Sequence, residues 1–463
     1  MTKSVFLTSA EDAKAKLGVG LCLAKWKQVS LHLSTGLNNS CYHPPLHQID
    51  ADEVALNPSA LHNTQHKKEQ RKIMLKQERP SECSYCWTQE DLGNLSDRHY
   101  RSGEPWAAVD FDKIKNSTGD EDDVIPSYVE VNFNHACNLS CSYCSPQFSS
   151  TWQSEVYKFG GYPTTPIHND PSHFTGRNRP IPAREDNPYV DAFWKWWPEL
   201  YPTLEHFRMT GGEPLMDKNT YRVFDHVLAN PSPKLHLNVT SNFSVEDSLF
   251  EKYLDYVKQM TSNEPKYLEH FMQYVSLDAM FERAEYGRHG LNFERVWHNV
   301  NRFLTEVPNR SSLTFIITMN TLNVTGLHEL INGIHGLRQL YSNTYQRVWF
   351  DTPILRQPAW QNVQILPEEY TDPLEEAWAF MCSKTEQHDN LYKGFKDYEM
   401  HRLQRVIDYM QEGCKLDSEY VIMQRANFAR FFKEHDARRG TDFLTTFPEM
   451  KEFWNICNYH AQQ

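Results

Sequence analysis

Residues 128–144 read YVEVNFNHACNLSCSYC and bring three cysteines together within eight residues. Val129, Val131 and Phe133 alternate with polar residues, which predicts a half-buried strand just before the cysteines. The cysteines therefore follow the carboxyl end of a strand. Barrel and open α/β folds build their sites on loops that leave parallel strands at that end.

Cys137, Cys141 and Cys144 form a soft-ligand set suited to an iron–sulfur cluster or to zinc. A closed structural site normally takes four protein ligands, so either a local fourth ligand is missing or one metal position is left open for chemistry. Buried free cysteines are one alternative. A disulfide is another, and it fits poorly in a chain without secretory features.

The spacing Cys137-x3-Cys141-x2-Cys144, with Tyr143 before the third cysteine, resembles the signature of the radical S-adenosylmethionine (SAM) superfamily. The resemblance implies that these three catalytic cysteines hold a 4Fe–4S cluster whose fourth iron is chelated by SAM. It implies reductive cleavage of SAM to methionine and a 5′-deoxyadenosyl radical, which abstracts hydrogen from a substrate. A flavodoxin or ferredoxin-like reductant protein is then an expected partner.

A glycine-rich turn follows the second predicted strand, where residues 210–215 read TGGEPL. Two glycines allow a backbone to approach a ligand closely, and a carboxylate can accept hydrogen bonds from an ammonium group. The four residues alone would describe an ordinary turn. Their position, one strand after the cysteines, matches the family's Gly-Gly-Glu-Pro motif and implies that Glu213 binds the amino group of SAM.

Two more matches end the third and fourth predicted strands. Residues 239–242, VTSN, resemble the family's Thr-Asn-Gly turn, although Phe243 occupies the glycine position. Residues 275–279, VSLDA, are similar to the family's Ser-x-Asp segment on the ribose side of SAM, and Arg288 matches the arginine that pairs with the carboxylate of SAM. The alternatives are a capping role for Asp278 and an exposed helix-end position for Arg288. The implied cofactor-binding residues are Tyr143, Gly211, Gly212, Glu213, Pro214, Ser241, Asn242, Ser276, Asp278 and Arg288.

The repeated pattern of short strands and amphipathic helices predicts the fold class. The predicted strands are 128–134, 204–210, 234–241, 272–277, 313–319 and 346–350, and the predicted helices between and after them include 148–159, 218–228, 247–260, 293–307 and 327–340. Repeated βα units imply a parallel sheet with right-handed crossovers. Six units are too few for a closed eight-stranded barrel. An arrangement of six βα units resembles the partial (β/α)6 TIM-like barrel of the family.

Three regions follow from these patterns. Residues 1–120 are irregular and rich in cysteine, residues 121–366 carry the predicted barrel, and residues 367–463 form a helical segment with helices near 367–383, 392–412, 417–435 and 449–459. The acidic run 119–123 is predicted to be a linker. The prolines of the insertion 160–188 exclude a helix or a central strand. The insertion is predicted to be either a lid over the cluster or a mobile surface loop without a function of its own.

The N-terminal region contains four more cysteines. Cys83 and Cys86 form a Cys-x2-Cys knuckle, and with Cys22 and Cys41 they supply the ligand count for zinc or a second iron–sulfur cluster. His43 and His47 are alternative ligands, and Cys22 could instead be a core residue. The region resembles the N-terminal part of phage and bacterial radical SAM proteins that carry a twitch domain, a shortened auxiliary-cluster module. The better-known modules follow the catalytic domain, but the later cysteines here, Cys382, Cys414 and Cys457, are spaced too widely for a knuckle.

Composition restricts the classes of function. The net charge of −13 over 463 residues argues against an extended nucleic-acid footprint. The N-terminus has no apolar signal-peptide core and no segment reaches membrane-spanning length, so we expect a cytoplasmic protein with no membrane partner. The substrate is expected to be a peptide or a small molecule. The competing hypotheses are a non-catalytic, metal-stapled structural or interaction protein, and a transferase that uses SAM as a methyl or aminocarboxypropyl donor.

Overall fold

The computed structural model describes residues 7, 9–118, 123–385 and 391–463. The strands are β1 Gln28–His32, β2 Leu37–Asn39, β3 His47–Gln48, β4 Tyr128–Asn132, β5 Ser140–Cys141, β6 His206–Thr210, β7 His236–Ser241, β8 His270–Ser276, β9 Arg288–His289, β10 Ser311–Ile316 and β11 Val348–Asp351. The predicted linker 119–123 lies outside the described residues except for Asp123.

The helices of the described residues cover most of the chain between the strands. They are α1 Ala10–Lys16, α2 Ala24–Lys27, α3 Ala51–Leu56, α4 Gln65–Leu75, α5 Ser84–Asp91, α6 Asp97–Gly103, α7 Pro105–Ala108, α8 Phe111–Lys115, α9 Ser150–Phe159, α10 Pro188–Leu200, α11 Lys218–Ala229, α12 Asp247–Met260, α13 Phe281–Gly287, α14 Phe293–Glu306, α15 Leu327–Tyr341, α16 Asp372–Ser383, α17 Asp397–Gln411, α18 Ser418–Arg439, α19 Phe443–Thr446 and α20 Lys451–Gln462. Within the described ranges, none of these helices combines the length and the apolar composition that a membrane span requires.

The chain has an α/β fold with a nine-stranded, mostly parallel central sheet in the order β11-β10-β8-β7-β6-β4-β1-β2-β3. All six predicted strands are present in the predicted order and pair in parallel, with β4 beside β6, then β7, β8, β10 and β11. Their carboxyl ends consequently lie at one edge of the sheet, where the cysteine loop and the Gly-Gly-Glu turn begin.

The two faces of the sheet differ in chemistry because successive strand residues point to opposite sides. One face is apolar and sealed by helices; its residues include Val129, Val131, Phe207, Met209, Leu237, Val239, Phe271 and Val275. The other, which we call the polar face, carries Ser30, His32, Glu130, Asn132, Arg208, Thr240, Tyr274 and Ser276. Several of the polar-face residues keep part of their surface open to water, including Arg208, Thr240, Tyr274 and Ser276.

The N-terminal region is more regular than its sequence indicated. It forms helices α1–α8, and its strands β1–β3 continue the central sheet, with β1 parallel to β4 and β2 and β3 antiparallel. The alternation of Val29 and Leu31 with polar neighbours was the available sequence signal for β1. The predicted count of six strands was therefore too low, while a domain boundary near residue 120 stays a prediction.

Most predicted helices are present, and the four predicted C-terminal helices correspond to α16, α17, α18 and α20. The sequence analysis did not predict α10, which directly follows the proline-rich insertion. Its aromatic residues Phe193, Trp196 and Trp197 are buried. The insertion itself contains the short 3-10 turns Pro171–Phe174 and Gly176–Asn178 and a single antiparallel bridge between Tyr162 and His168.

Candidate metal and cofactor site

The cysteine loop is fixed from two sides. The backbone N–H of Cys137 donates to the hydroxyl of Ser150 at the start of α9, at 3.2 Å. Cys141 lies in β5 and pairs with Arg288 of β9. The N–H of Ser142 donates to the carbonyl of Gly287 at 2.8 Å. These contacts hold both the start and the middle of the loop.

The three thiols of this loop lie close enough to influence one another. Burial raises the pKa of each thiol, with Cys144 reaching about 12. Neighbouring thiols raise the pKa of Cys137 and Cys144 further, and the charge of Asp278 does so for Cys141. The N–H of Leu139 donates to the sulfur of Cys137 at 3.5 Å, and Arg288 Nη1 lies 3.7 Å from the sulfur of Cys141. Such donors stabilise the thiolate form, which is the form that binds metal.

No set of three His, Cys, Asp or Glu side chains within the described ranges converges as ligands of a single metal ion would. The chemistry of the donors nevertheless fits an iron–sulfur cluster. Three soft thiols lie in one loop, Cys141 buried and Cys137 and Cys144 half-buried, and N–H groups point at the sulfurs of Cys137 and Cys141. Cluster-binding thiolates receive such hydrogen bonds, and the bonds help to set the reduction potential.

The Gly-Gly-Glu turn packs directly against the start of the cysteine loop. Gly211 has a φ of +121°, and a Cβ on it would lie 2.4 Å from Oδ1 of Asn132. A Cβ on Gly212 would lie 2.2 Å from the carbonyl oxygen of Ala136, to which the N–H of Glu213 donates at 2.6 Å. The sequence analysis attributed both glycines to a close ligand approach. The structure requires them because these two loops touch.

Glu213 is a buried carboxylate, 2% exposed, held at both oxygens by backbone donors. The N–H of Leu215 lies 3.0 Å from Oε1 and the N–H of Asn242 lies 2.8 Å from Oε2. Burial raises the pKa of Glu213 to about 7, and the opposing influences are hydrogen bonds from Asn242, Leu215 and Ser241 rather than a cation.

The turn after β7 connects to the same loop. Asn242 Nδ2 donates to Oδ1 of Asn138 at 2.8 Å, and Asn138 Nδ2 donates to the carbonyl of Ser244 at 2.8 Å. Phe243, at the position where the family has glycine, adopts a φ of +54°. The left-handed backbone is retained, and the phenyl ring is fully buried beside Phe250, 5.2 Å between ring centres.

Asp278 organises the fourth strand end. It accepts hydrogen bonds from Arg288 Nε at 2.8 Å, from the hydroxyl of Tyr143 at 2.6 Å and from the N–H of Thr318 at 2.7 Å. Arg288 is buried, so the alternative of an exposed helix-end cation was wrong. The resemblance assigns Asp278 and Arg288 to different parts of SAM, whereas here they form an ion pair. Ser276 ends β8 and is half-buried.

The four N-terminal cysteines, Cys22, Cys41, Cys83 and Cys86, line one cavity together with Lys25, His43, Arg98 and Arg101. Burial raises the pKa of Cys41 to about 11 and that of Cys83 to about 12, and neighbouring thiols contribute to both shifts. His43 instead pairs with Asp97 at 2.5 Å. His47 bonds to the hydroxyl of Thr64 at 3.0 Å and is not among the residues lining the cavity.

A polar network that the sequence analysis missed joins this cavity to the polar face. The hydroxyl of Tyr42, next to Cys41, donates to Glu130 at 3.1 Å. Glu130 pairs with Arg208 at 3.3 Å, and the guanidinium of Arg208 lies 4.3 Å from the ring centre of Tyr274. The period-two pattern of β4 places Glu130 on the polar face, but its partners come from other segments.

The first part of the insertion is anchored to the fold. Tyr162 stacks on Phe431 of α18 with 4.3 Å between ring centres, and Asn427 Nδ2 donates to the carbonyl of Thr165 at 2.9 Å. Asn169 Nδ2 donates to the carbonyl of Cys144 at 3.1 Å. The insertion thus touches the cysteine loop, and its role as a lid stays a prediction.

Comparison of the chain with models of known protein families finds no match. Comparison with curated proteins also finds no match.

Proposed function

We propose that this chain is a radical SAM enzyme in which Cys137, Cys141 and Cys144 hold a 4Fe–4S cluster with one iron open to SAM. One observation carries the proposal. Loops from four neighbouring strands, widely separated in sequence, meet through direct hydrogen bonds and packing around the loop that carries the three thiols. The agreement of strand order, turn positions and loop contacts favours a single cofactor site over four unrelated turns.

The groups around the thiols fit the parts of SAM. The buried carboxylate of Glu213 would hold the ammonium group, and its raised pKa reflects burial without a cation. Arg288 would supply positive charge for the carboxylate of SAM, and Ser276 and Asp278 would face its ribose. When bound, the reduced cluster supplies the electron that cleaves SAM to methionine and a 5′-deoxyadenosyl radical, which takes hydrogen from the substrate.

The proposal includes a partial (β/α)6 TIM-like barrel whose interior is the polar face. Two observations support it. The polar face retains water-accessible charged and aromatic residues, while the opposite face is sealed by helices. In addition, Arg356, which follows the last strand β11, lies 5.8 Å from the ring centre of Tyr85 in the N-terminal region. Because β1 of that region also pairs with the first strand of the series, β4, the region contacts both the first strand and the segment after the last one. A substrate would enter this interior.

We further propose that Cys22, Cys41, Cys83 and Cys86 hold a second iron–sulfur cluster or zinc. The cations Lys25, Arg98 and Arg101 line the same cavity and would offset the negative charge of the thiolates. An external reductant of the flavodoxin or ferredoxin type would supply electrons.

Anaerobic reconstitution with iron and sulfide, followed by dithionite reduction in the presence of SAM, tests the proposal. The wild-type protein should release 5′-deoxyadenosine. Cys141→Ala should release none while keeping its helical circular dichroism, and Cys414→Ala, which changes an exposed cysteine, should behave as wild type.

Other products would identify the competing functions. Zinc bound without SAM cleavage would favour the metal-stapled structural protein. Transfer of a methyl or aminocarboxypropyl group without 5′-deoxyadenosine would favour the transferase.

A further inference from the structure

The side chain of Arg288 points at the cysteine loop rather than at solvent. Arg288 of β9 lies directly opposite Cys141 of β5 in an antiparallel pair, and side chains that are opposite in such a pair lie on the same face. Both residues are buried. Nη1 of Arg288 donates a hydrogen bond to the sulfur of Cys141 at 3.7 Å. The strand pairing thus brings a fixed positive charge to one of the three proposed cluster ligands.

Asp278 holds the guanidinium of Arg288 in this position. Nε of Arg288 donates to Oδ2 of Asp278 at 2.8 Å and Nη2 donates to Oδ1 at 3.2 Å, so the ion pair is bidentate. The carboxylate is itself held by the hydroxyl of Tyr143 at 2.6 Å and by the N–H of Thr318 at 2.7 Å. The guanidinium therefore has little freedom to turn away from the sulfur.

The contacts of Arg288 leave part of its hydrogen-bonding capacity unused. A guanidinium has five N–H groups, and the contacts with Asp278 and with the sulfur of Cys141 use three of them. Two N–H groups remain for the carboxylate of SAM. The contact with the sulfur is consequently compatible with the proposed contact with SAM, and it is present in the protein without SAM.

We propose that Arg288 raises the reduction potential of the cluster held by Cys137, Cys141 and Cys144, and that Asp278 limits this rise. The inference rests on the proposed function, because it concerns the cluster of that site. The reduced form of a cluster carries one more negative charge than the oxidised form. A hydrogen-bond donor with a positive charge at a ligand sulfur therefore stabilises the reduced form. The carboxylate of Asp278 has the opposite charge and offsets part of this effect.

Burial makes this ion pair the strongest local influence that the loop offers. Coulomb interactions weaken in proportion to the effective dielectric constant, which is lower in a buried site than in water. The other donor to a sulfur of the loop is the N–H of Leu139, which is uncharged and lies 3.5 Å from the sulfur of Cys137. Hydrogen bonds from charged donors are roughly twice as strong as those from neutral donors. A change at Arg288 should therefore alter the potential measurably.

Redox titration of the full-length reconstituted protein with dithionite, without SAM, measures this potential. The electron paramagnetic resonance signal that Cys141→Ala removes is followed, which separates this cluster from one at the N-terminal cysteines. Arg288→Gln should lower the equilibrium constant for one-electron reduction about tenfold, which makes the potential about 59 mV more negative. Arg288→Lys keeps the charge but loses the planar fork, so it should lower the constant about threefold, or about 28 mV.

Asp278→Asn provides a shift of the opposite sign. Asparagine keeps the shape of the side chain and an acceptor oxygen for Arg288, but it removes the negative charge. The equilibrium constant for reduction should therefore rise about threefold. Opposite shifts would not result from a general loosening of the loop. The control Arg302→Gln removes an arginine of α14 that pairs with Glu251 and Glu306, and it should keep the wild-type potential.

Iron and sulfide counts before the titration separate this inference from the proposed function. Absence of a 4Fe–4S cluster in the wild-type protein would overturn both. A cluster with the same potential in the wild-type protein and in both Arg288 variants would overturn the inference and leave the proposed function standing. If Arg288→Gln does not assemble the cluster, Arg288→Lys and Asp278→Asn decide. Shifts of opposite sign in these two variants support the inference, and equal potentials or shifts of the same sign overturn it.

Discussion

The buried carboxylate of Glu213 makes the stability of the fold depend on pH, and replacement by glutamine removes that dependence. Burial raises the pKa of Glu213 from 4.5 to about 7, so the folded chain holds this proton more tightly than the unfolded chain. The contribution of Glu213 to stability is therefore unchanged below pH 4.5, falls as the pH rises to 7 and stays low above it.

The size of the effect follows from the rise in pKa. A rise of about 2.5 corresponds to about 3 kcal/mol of lost stability above pH 7. The two oxygens of Glu213 accept hydrogen bonds from the N–H groups of Leu215 and Asn242. A glutamine side chain has only one acceptor oxygen, so Glu213→Gln loses one of these hydrogen bonds and about 1–2 kcal/mol of stability at every pH. Glu213→Gln should therefore be less stable than wild type at pH 5 and about 1–2 kcal/mol more stable at pH 8.

Urea unfolding of the metal-free, reduced protein at pH 5 and pH 8 measures this change. The matched control is Glu285→Gln, which alters a partly buried carboxylate that accepts a hydrogen bond from the N–H of Phe293. The difference in unfolding free energy between Glu213→Gln and wild type should change sign between the two pH values. An equal difference at both pH values would refute a raised pKa for Glu213.

Two further predictions concern packing around the site. Gly212→Ala forces a Cβ against the carbonyl of Ala136, so it should lower the free energy of unfolding by about 2 kcal/mol or more in urea unfolding. The control Gly336→Ala places a Cβ in open space within α15, so it should raise the free energy of unfolding by about 0.5–1 kcal/mol. Asp278→Ala leaves the buried guanidinium of Arg288 without its carboxylate partner, so it should lower the free energy of unfolding by about 3–5 kcal/mol in the same measurement. A loss below about 1 kcal/mol would show that this ion pair contributes little to stability.

The parallel strands were predictable because their signal is local. Apolar and polar residues alternate along each strand, and helices intervene, so strand order and the edge that bears the loops follow from general rules. The same local signal was present in β1, where Val29 and Leu31 alternate with Gln28 and Ser30. It was overlooked because the surrounding N-terminal region lacks the repeated βα pattern.

The site was predictable only in part because its contacts join distant segments. The motifs indicated which loops carry ligands, but they did not show that Gly212 must admit the carbonyl of Ala136, or that Asp278 pairs with Arg288. The left-handed backbone at Phe243 was also not expected from its residue type, since a bulky residue rarely adopts it. Burial of its ring in the core accounts for the exception.

Electron paramagnetic resonance of the reconstituted, dithionite-reduced protein, recorded with and without SAM, tests the central claim most directly. If three thiolates hold a 4Fe–4S cluster with one open iron, the reduced protein gives a cluster signal that changes when SAM binds, and Cys141→Ala loses that response. A signal unaffected by SAM in the wild-type protein, or bound zinc with no cluster signal, would contradict the account.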